Sequence, residues 1–544
     1  RHETVRLYNI NNYIILPFTE QTQLSFVSSM PSTIGPQIPR WFVSHWWGEP
    51  FMEFIACVEC FVLDFRDTLN CNRGIGMTED TPIWVCAYAN NQWDLSDTIT
   101  IDPFQSGFTR ALEAAQYRTL TILDRDGTVF SRIWCILELF LTFLESSHQG
   151  EEEGDQSTRG LWTVYTACDM YKDGPVVGRL DQRSAVGLAS HREIGYEDRF
   201  PFDIVAKSLD IKIEKANASV ASDRLHILNA IVGNTDDFDA PPPETHEEYT
   251  VLNNFVIGAF ASSIWLLQKA SQQENKTFWK KMITQLSKST RRGKMKLDFN
   301  DWKLNENQAV ELISRLPLTT YQLKIDMCSY GYAFAAALAN WIRKAKNLKT
   351  FCCENSCFGR NEQDGGRDAG ITLAEAFGEN KTIKAVRLWG TDLLGERNAP
   401  QWAAAIERNT SLEVFLVQGF ALRLPKNYDK KSKIESYVGG QFLISDGVLF
   451  DEGYISLAEG IKRNQSLKVI GLEFHGASRE GIVSLGPALM MNETITKVCI
   501  DEGFEARVTT KKGIKDLRMY VNYRTPQVTF PKYLSYVERE FELS

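Results

Sequence analysis

Short apolar runs alternate with longer helical patterns in the first third of the chain. Apolar runs of strand length occur at Trp41–Ser44, Ile83–Tyr88, Leu120–Leu123 and Leu161–Ala167. Between these runs, apolar residues recur at helical spacing from Pro50 to Leu69, over Phe108–Ala115 and over Ser131–Glu145. Strands that alternate with helices predict a parallel sheet covered on both faces by helices.

The flanking segments carry weaker patterns. Residues 1–39 are polar and interrupted by prolines, and we expect an extended lead-in there. The pattern is helical at about 201–233 and again at 250–290. Residues 234–249, which lie between these two segments, combine acidic side chains with three consecutive prolines. This composition predicts a linker inside a mostly helical connector that spans residues 171–290.

The chain repeats itself after residue 290. The same signature occurs in four segments: Asn380–Val386, Asn409–Phe415, Asn464–Ile470 and Asn492–Val498. Their spacings are 29, 55 and 28 residues, so the long interval is one repeat with an insertion at about 424–450. A weaker copy lies at Asn347–Phe351. Each signature follows a helical segment and opens an apolar strand.

One strand and one helix in about 28 residues are typical of leucine-rich repeats of the ribonuclease-inhibitor type. We expect about six or seven repeats in residues 291–505, followed by a tail or cap in 506–544. The strands would line a concave face that binds a protein partner. The signatures contain N-x-[ST] triplets that match glycosylation acceptors, but their periodic position predicts instead that each Asn ends a helix.

Composition narrows the class of protein. A chain of 544 residues with 43% hydrophobic and 24% charged residues is an ordinary folded protein of several domains. The net charge of −9 argues against a general binder of nucleic acid or of anionic membranes. We find no apolar run of 18 residues, hence no predicted membrane span.

Cysteine usage predicts a reducing, cytoplasmic compartment. The 11 cysteines form an odd, scattered set, which favours free thiols. Cys57 and Cys60 form a CxxC inside a helical pattern without a second pair, so we predict no metal site. Since the chain begins at Arg1 rather than Met, a targeting segment before Arg1 is left open.

Glu138 is the leading candidate for chemistry. It belongs to the motif Trp134-Cys135-Ile136-Leu137-Glu138-Leu139, which opens a helix after the predicted strand Leu120–Leu123. This places a carboxylate near the carboxyl edge of the predicted sheet, where ligands bind in open α/β sheets.

Residues 40–170 resemble plant-type Toll/interleukin-1 receptor (TIR) domains. The matching segments are Phe42–Ser44, Ala111–Ala115, Leu120–Leu123 and Ser131–Leu139. The resemblance implies a flavodoxin-like fold that either assembles with other TIR domains or cleaves the nicotinamide–ribose bond of NAD⁺. In the second case it implies that Glu138 is the catalytic carboxylate. It also implies that the pocket is lined by Ser44, His45 and Trp46, and that Asn91 and Trp93 lie in a loop that gates the pocket or mediates assembly.

The residues themselves leave plainer alternatives open. Glu138 would also suit a helix start, where acidic side chains are favourable. His45 would suit a satisfied loop position, and one of Trp46 and Trp47 would suit the core. The bulky His45-Trp46-Trp47 run departs from the family pattern, and its rings could fill the pocket and leave a pseudo-enzyme. No P-loop, dinucleotide fingerprint, zinc-protease motif or nucleophile elbow occurs in the sequence.

The sequence therefore predicts a multidomain α/β protein: a TIR-like parallel sheet, a helical connector and a leucine-rich-repeat horseshoe. We expect a scaffold or signalling protein that binds a protein partner through its repeats and self-associates through the TIR-like domain. The alternative is an NAD⁺ glycohydrolase that uses Glu138, with NAD⁺ as the substrate and no resident cofactor.

Overall fold

The structure is a computed structural model in two compact units. It describes residues 5–31, 35–66, 76–95, 99–148, 159–171, 174–180, 200–272, 276–289, 294–299, 302, 304–358, 368–418, 437–438, 441–442, 449–473, 479–500 and 504–507. The first unit comprises Arg1–Leu267 and Lys288–Thr290, and the second comprises Gln268–Ser287 and Arg291–Ser544. Both units are built on sheets that are mainly parallel, which confirms the predicted α/β class.

A five-stranded sheet forms the centre of the first unit. Its strands are β1 (Trp41–Ser44), β2 (Ile83–Val85), β3 (Thr119–Leu123), β4 (Trp162–Tyr171) and β5 (Gly174–Leu180). The spatial order is β2-β1-β3-β4-β5; β1 to β4 are parallel, and β5 is antiparallel to β4. The sheet thus continues beyond residue 170, because β5 pairs directly with β4.

The central strands are buried along their whole length, as expected for a parallel sheet covered on both faces. Trp41 packs the edge of its indole on Phe61, with the ring centroids 4.9 Å apart. Leu120 and Ile122 lie in the same core. Burying each such side chain stabilises the fold by roughly 1.5–3 kcal/mol.

Helices connect and cover these strands. Those of residues 5–261 are α1 (Leu7–Ile10), α2 (Leu16–Thr19), α3 (Phe51–Arg66), α4 (Cys86–Ala89), α5 (Gly107–Ala114), α6 (Ile133–His148), α7 (Phe202–Ser208), α8 (Ala221–Ile231) and α9 (Glu247–Ala261). The helical patterns predicted after β1, β2 and β3 are therefore confirmed.

Two local predictions are wrong. The lead-in is helical rather than extended over Leu7–Thr19, because Leu7, Ile10 and Ile15 recur at helical spacing and are buried. The predicted strand Ile83–Tyr88 ends at Val85, and Cys86–Ala89 forms one helical turn.

The predicted linker at 234–249 has defined local structure. Asn229 donates through Nδ2 to the carbonyl oxygens of Phe238 and Ala240, at 2.9 and 2.7 Å. His246 caps α9 by accepting a hydrogen bond from the Glu248 amide. These contacts give side-chain partners to the carbonyl oxygens of Phe238 and Ala240 and to the amide of Glu248.

An eight-stranded sheet forms the centre of the second unit. Its strands are β6 (Lys294–Asp298), β7 (Gln322–Asp326), β8 (Thr350–Ser356), β9 (Ala385–Thr391), β10 (Val414–Gln418), β13 (Val469–Glu473), β14 (Lys497–Ile500) and β15 (Phe504–Arg507). They follow this order across the sheet, and all neighbours are parallel except β14 and β15.

A helix precedes or follows nearly every strand of this array. The remaining helices are α10 (Ile264–Gln272), α11 (Lys276–Leu286), α12 (Glu306–Ser314), α13 (Tyr332–Lys344), α14 (Ala369–Glu379), α15 (Ala399–Arg408), α16 (Phe450–Arg463) and α17 (Arg479–Met491). The predicted strand–helix repeat is confirmed at this level. Of the insertion at 424–450, the described residues include a short hairpin of β11 (Tyr437–Val438) and β12 (Gln441–Phe442); most of the insertion, and the tail after residue 507, lie outside the described residues.

The four periodic asparagines form a buried ladder. They are 3–7% exposed, and three of them, Asn380, Asn409 and Asn464, are helix C-caps, as predicted. Asn464 donates to the carbonyl oxygens of Ile406 and Asn409 at 2.6 and 2.9 Å, and its Oδ1 accepts from two backbone amides that follow it. Each asparagine thus bonds one repeat to the preceding one, an arrangement that explains the triplets without glycosylation.

No single helix in the described ranges is long and apolar enough to cross a membrane. The bent pair Glu247–Ala261 and Leu266–Gln272, with 63° between its axes, meets the length and composition test only when both helices are taken together.

Candidate functional site

Polar residues collect at the carboxyl edge of the first sheet. Ser44 is the last residue of β1, and His45 follows it directly. Asp124 follows β3 and leads into the loop before α6. Because β1 and β3 are parallel neighbours, their carboxyl ends meet, and α6 brings Cys135 and Glu138 to the same place. We call Ser44, His45, Glu49, Cys135 and Glu138 the edge cluster.

Glu138 lies in the second turn of α6 and is 4% exposed. The first turn of α6 contains no acidic residue, so the helix-start interpretation of Glu138 is wrong. Burial raises the pKa of Glu138 to about 8, against the opposing effects of a Ser44 hydrogen bond, the Arg132 charge and a Cys135 hydrogen bond. The side chain is therefore mostly neutral at pH 7.

His45 and Glu49 form a buried pair at the same edge of the sheet. His45 Nδ1 lies 2.9 Å from Glu49 Oε1, and the two residues are 6% and 2% exposed. Burial raises the pKa of Glu49 well above its usual range, and the charges of Asp124 and Glu53 raise it further. Glu49 and Asp124 were not among the predicted site residues. Glu49 could have been found from its position four residues after His45, and Asp124 from its position directly after a predicted strand.

Two buried atoms of the edge cluster lack a partner. Within the described residues, His45 Nε2 and Glu138 Oε2 form no hydrogen bond. The Cys135 thiol lies near both residues: its Sγ is 3.9 Å from the His45 carbonyl oxygen, and it forms a hydrogen bond with Glu138. Burial, followed by the Glu138 charge, raises the pKa of Cys135 well above its usual range, which leaves a neutral thiol with little nucleophilic character.

The tryptophans after β1 pack locally. The indole of Trp46 folds over Gly48, where a Cβ would lie only 2.2 Å from the ring. Trp47 donates from Nε1 to Cys86 Sγ at 2.9 Å, and its ring lies edge-on to Tyr8 at 5.6 Å. Both tryptophans are half-buried.

Asn91 and Trp93 bond to the N-terminal helical segment. Asn91 Nδ2 donates to the Gln23 carbonyl oxygen, and Trp93 Nε1 donates to Thr19 Oγ1, both at 2.9 Å. The structure thus brings Ser44 and His45 together with Glu138, whereas the hydrogen bonds of Asn91 and Trp93 are made elsewhere. No cluster of three or more His, Cys, Asp or Glu residues with metal-binding geometry occurs within the described ranges.

The second unit offers a different kind of site on its sheet. Alternate strand residues such as Phe351 and Phe415 pack on the helices, with ring centroids 5.1 Å from Phe377 and 5.7 Å from Trp402. The residues between them point to the opposite face of the sheet, which we call the free face.

The free face combines an apolar patch with a charged strip. The apolar patch consists of the buried Cys352, Ala385 and Leu416, with the half-buried Val414 and Val469 packed against them across four strands.

The charged strip consists of Lys324, Glu354 and Arg387. Lys324 Nζ lies 2.6 Å from Glu354 Oε2, and Arg387 Nε lies 3.6 Å from Glu354 Oε1. The Arg387 guanidinium also lies over the Trp389 ring, 5.0 Å from its centroid.

No protein-family model matches the chain, and no curated protein matches it either.

Proposed function

We propose that this protein is an interaction scaffold that docks a protein partner on the free face of its second sheet. The support is the regular array itself, because seven parallel strands in register place the apolar patch beside the charged strip. Cys352, Ala385 and Leu416 are only 5–9% exposed, so the half-buried Val414 and Val469 are the part of the patch that a partner would contact. An apolar centre beside aromatic and arginine side chains is the composition that protein interfaces favour.

In this proposal the array is a leucine-rich-repeat horseshoe. Its support is the strand–helix period and the asparagine ladder that bonds each repeat to the next. Such arrays are quasi-one-dimensional, and their strand face is an extended binding surface.

The first unit is, by the same proposal, a TIR-like module without catalytic activity. Its strand order β2-β1-β3-β4-β5 agrees with the flavodoxin-like order, although the antiparallel β5 departs from it. The burial and neutrality of Glu138 support a structural role, because an oxocarbenium-like ribose is stabilised by an ionised carboxylate in contact with the substrate.

A charge placed in the apolar patch tests the docking proposal. Val414→Glu puts a carboxylate on the free face, whereas Ile455→Glu puts one on the exposed side of α16, where Ile455 is 52% exposed. Proteins captured from a lysate would be identified by comparing wild type with both variants, and then purified for direct titration. We expect Val414→Glu to weaken binding at least about tenfold and Ile455→Glu to leave it unchanged.

Two results would count against the docking surface. One is equal affinity of a purified partner for all three proteins. The other is loss of binding in the Ile455→Glu variant alone, which would move the interface to the helical side.

A second candidate function, NAD⁺ glycohydrolase, has one specific observation in its favour. His45 Nε2 and Glu138 Oε2 are buried polar atoms without partners, and such atoms are costly unless a ligand or water satisfies them. Nicotinamide release from NAD⁺ by wild type, by Glu138→Gln and by the exposed control Glu59→Gln tests this activity. Release that disappears only in Glu138→Gln would establish the enzyme; no release from any of the three supports the scaffold.

A further inference from the structure

A pocket of about 440 Å³ opens beyond the carboxyl end of β3. Its walls are the loop that follows β3 and the segment from Lys207 to Ala216. Ligands of α/β proteins bind at this edge of the sheet, and the volume lies within the range of small-molecule sites. We call it the lysine pocket, because Lys207, Lys212 and Lys215 all line it.

Local hydrogen bonds hold both walls in place. Asp124 accepts hydrogen bonds from the Thr128 amide at 2.6 Å and from the Thr128 hydroxyl at 2.7 Å. Gly127 adopts a φ of +64°, which allows the tight turn between them. On the other wall, Asn217 exchanges backbone hydrogen bonds with Ser131 and Ile133, at 2.8 and 2.9 Å. These hydrogen bonds fix both walls of the pocket, and a preorganised site lowers the entropy cost of binding.

The pocket is lined by three lysines and two carboxylates, Asp126 and Asp210, so its formal charge is positive by one and favours an anion. Lys207 Nζ pairs with Asp126 Oδ1 at 2.6 Å and also donates to the Arg125 carbonyl oxygen. In the described part of the chain, Lys212 and Lys215 form no ion pair, and both are exposed. Lys212 directly precedes the short turn Ile213–Lys215, and Lys215 ends it. Two ammonium groups this close together are suited to a phosphate group, whose oxygens accept several charge-assisted hydrogen bonds.

The floor of the pocket is apolar and fixed. Phe130 is 7% exposed, and the edge of its ring packs on Trp162 and Phe260 at centroid distances of 6.5 and 6.0 Å. Ile211 and Ala216 complete the apolar lining. A planar ring can lie against such a floor while its phosphate contacts the lysines.

We propose that the lysine pocket binds a phosphorylated small molecule that carries a planar ring, of the nucleotide class. The ring would contact Phe130, and the phosphates would contact Lys212 and Lys215. This site is separate from the free face of the second sheet, so it does not depend on the docking proposal.

Calorimetric titration of the full chain tests the proposal with three probes. ADP carries both ring and phosphates, pyrophosphate carries only phosphates, and adenosine carries only the ring. The variant Lys212→Gln/Lys215→Gln removes the two unpaired charges at exposed positions, and Lys346→Gln/Lys349→Gln in the second unit is the control for the same change in net charge.

We expect wild type and the control to bind ADP more tightly than either partial probe. The pocket variant should bind ADP at least about tenfold more weakly, the factor expected for the loss of one charge-assisted hydrogen bond. The affinity should also fall with added salt. Absence of ADP binding at millimolar concentration would overturn the proposal. Equal affinity of the pocket variant and the control would overturn it too, as would equal affinity for ADP and pyrophosphate.

Discussion

The replacement Glu138→Gln should remove a pH dependence from the stability of the first unit. The pKa of Glu138 is raised from 4.5 to about 8 on folding, mainly because the side chain is buried. Between these two values the folded protein keeps the proton, whereas the unfolded chain loses it. Stability must therefore fall as the pH rises through this window.

The size of the effect follows from the two pKa values. At 1.36 kcal/mol per pH unit, the folding free energy from Glu138 should be about 3 kcal/mol less favourable at pH 7.5 than at pH 5. The glutamine side chain that replaces it cannot ionise, so the variant should lose this part of the pH dependence. The difference in stability between the variant and wild type should therefore shift in favour of the variant as the pH rises from 5 to above 7.

Hydrogen exchange of peptides from α6 (Ile133–His148) measures this stability within the first unit. Wild type, Glu138→Gln and Glu59→Gln would be compared at several pH values between 5 and 7.5, with exchange rates corrected for their intrinsic pH dependence. Glu59 is an exposed glutamate of α3 and controls for the loss of a charge. Contributions from Glu49 occur in all three proteins and cancel in the comparison. Identical pH slopes for wild type and Glu138→Gln would refute the reasoning, because Glu138 would then ionise as freely in the folded protein as in the unfolded chain.

Three further substitutions test the packing. Asn464→Ala should destabilise the second unit by about 2–4 kcal/mol in urea unfolding, because four buried hydrogen bonds are lost, whereas the exposed Gln465→Ala should have little effect. Gly460→Ala should cost at least about 2 kcal/mol, since its Cβ would lie 2.2 Å from a carbonyl oxygen of the neighbouring helix; Gly486→Ala, with nothing within 4 Å, should be neutral or stabilising in the same assay. Asp64→Ala should lower the stability of the first unit by about 3 kcal/mol, because a buried guanidinium and a tyrosine hydroxyl lose their carboxylate; unchanged hydrogen exchange of α3 would contradict this.

Periodic chemistry explains why the repeat array could be predicted from the sequence. Each asparagine satisfies the same two carbonyl groups and the same two amides, so the chain must supply the same side chain at every turn. In the weaker copy, Ala345 occupies the position that corresponds to Asn380, and Asn347 lies two residues later. The pattern fades where this contact is absent, and that explains why the first strands of the array were harder to recognise.

In the first unit, β1 to β4 each begin within or directly beside a predicted apolar run, whereas β5 was not predicted. β1 and β3 are buried along their whole length, so their apolar runs stand out from the neighbouring residues. β5 contains Gly174, Pro175 and Gly178, residues that disfavour strands, and it is held by pairing with β4 rather than by its own composition. Its place in the sheet depends on a neighbour that a local pattern does not contain.

The edge cluster contains residues that the sequence pattern predicted and one, Glu49, that it did not. Glu138 and Ser44 were found because each occupies a fixed place relative to a strand or a helix. Glu49 was not predicted, because an acidic side chain in a loop is normally solvated. Only the tertiary fold shows that Glu49 is 2% exposed and forms a hydrogen bond with His45.

Three buried charges at one sheet edge would be energetically costly, and the raised pKa values of these three groups favour their neutral forms. Glu138 keeps its proton up to about pH 8, the Cys135 thiol stays protonated, and burial raises the pKa of Glu49 as well. A neutral cluster has little means of stabilising a positive ribose, but it is compatible with a packed edge that positions the loops after β1 and β3. The second of these loops forms one wall of the lysine pocket. The residues that resemble a catalytic centre would then act by shaping a neighbouring binding site. Because glutamine is as neutral as the protonated Glu138, the Glu138→Gln variant should still bind ADP in the lysine pocket.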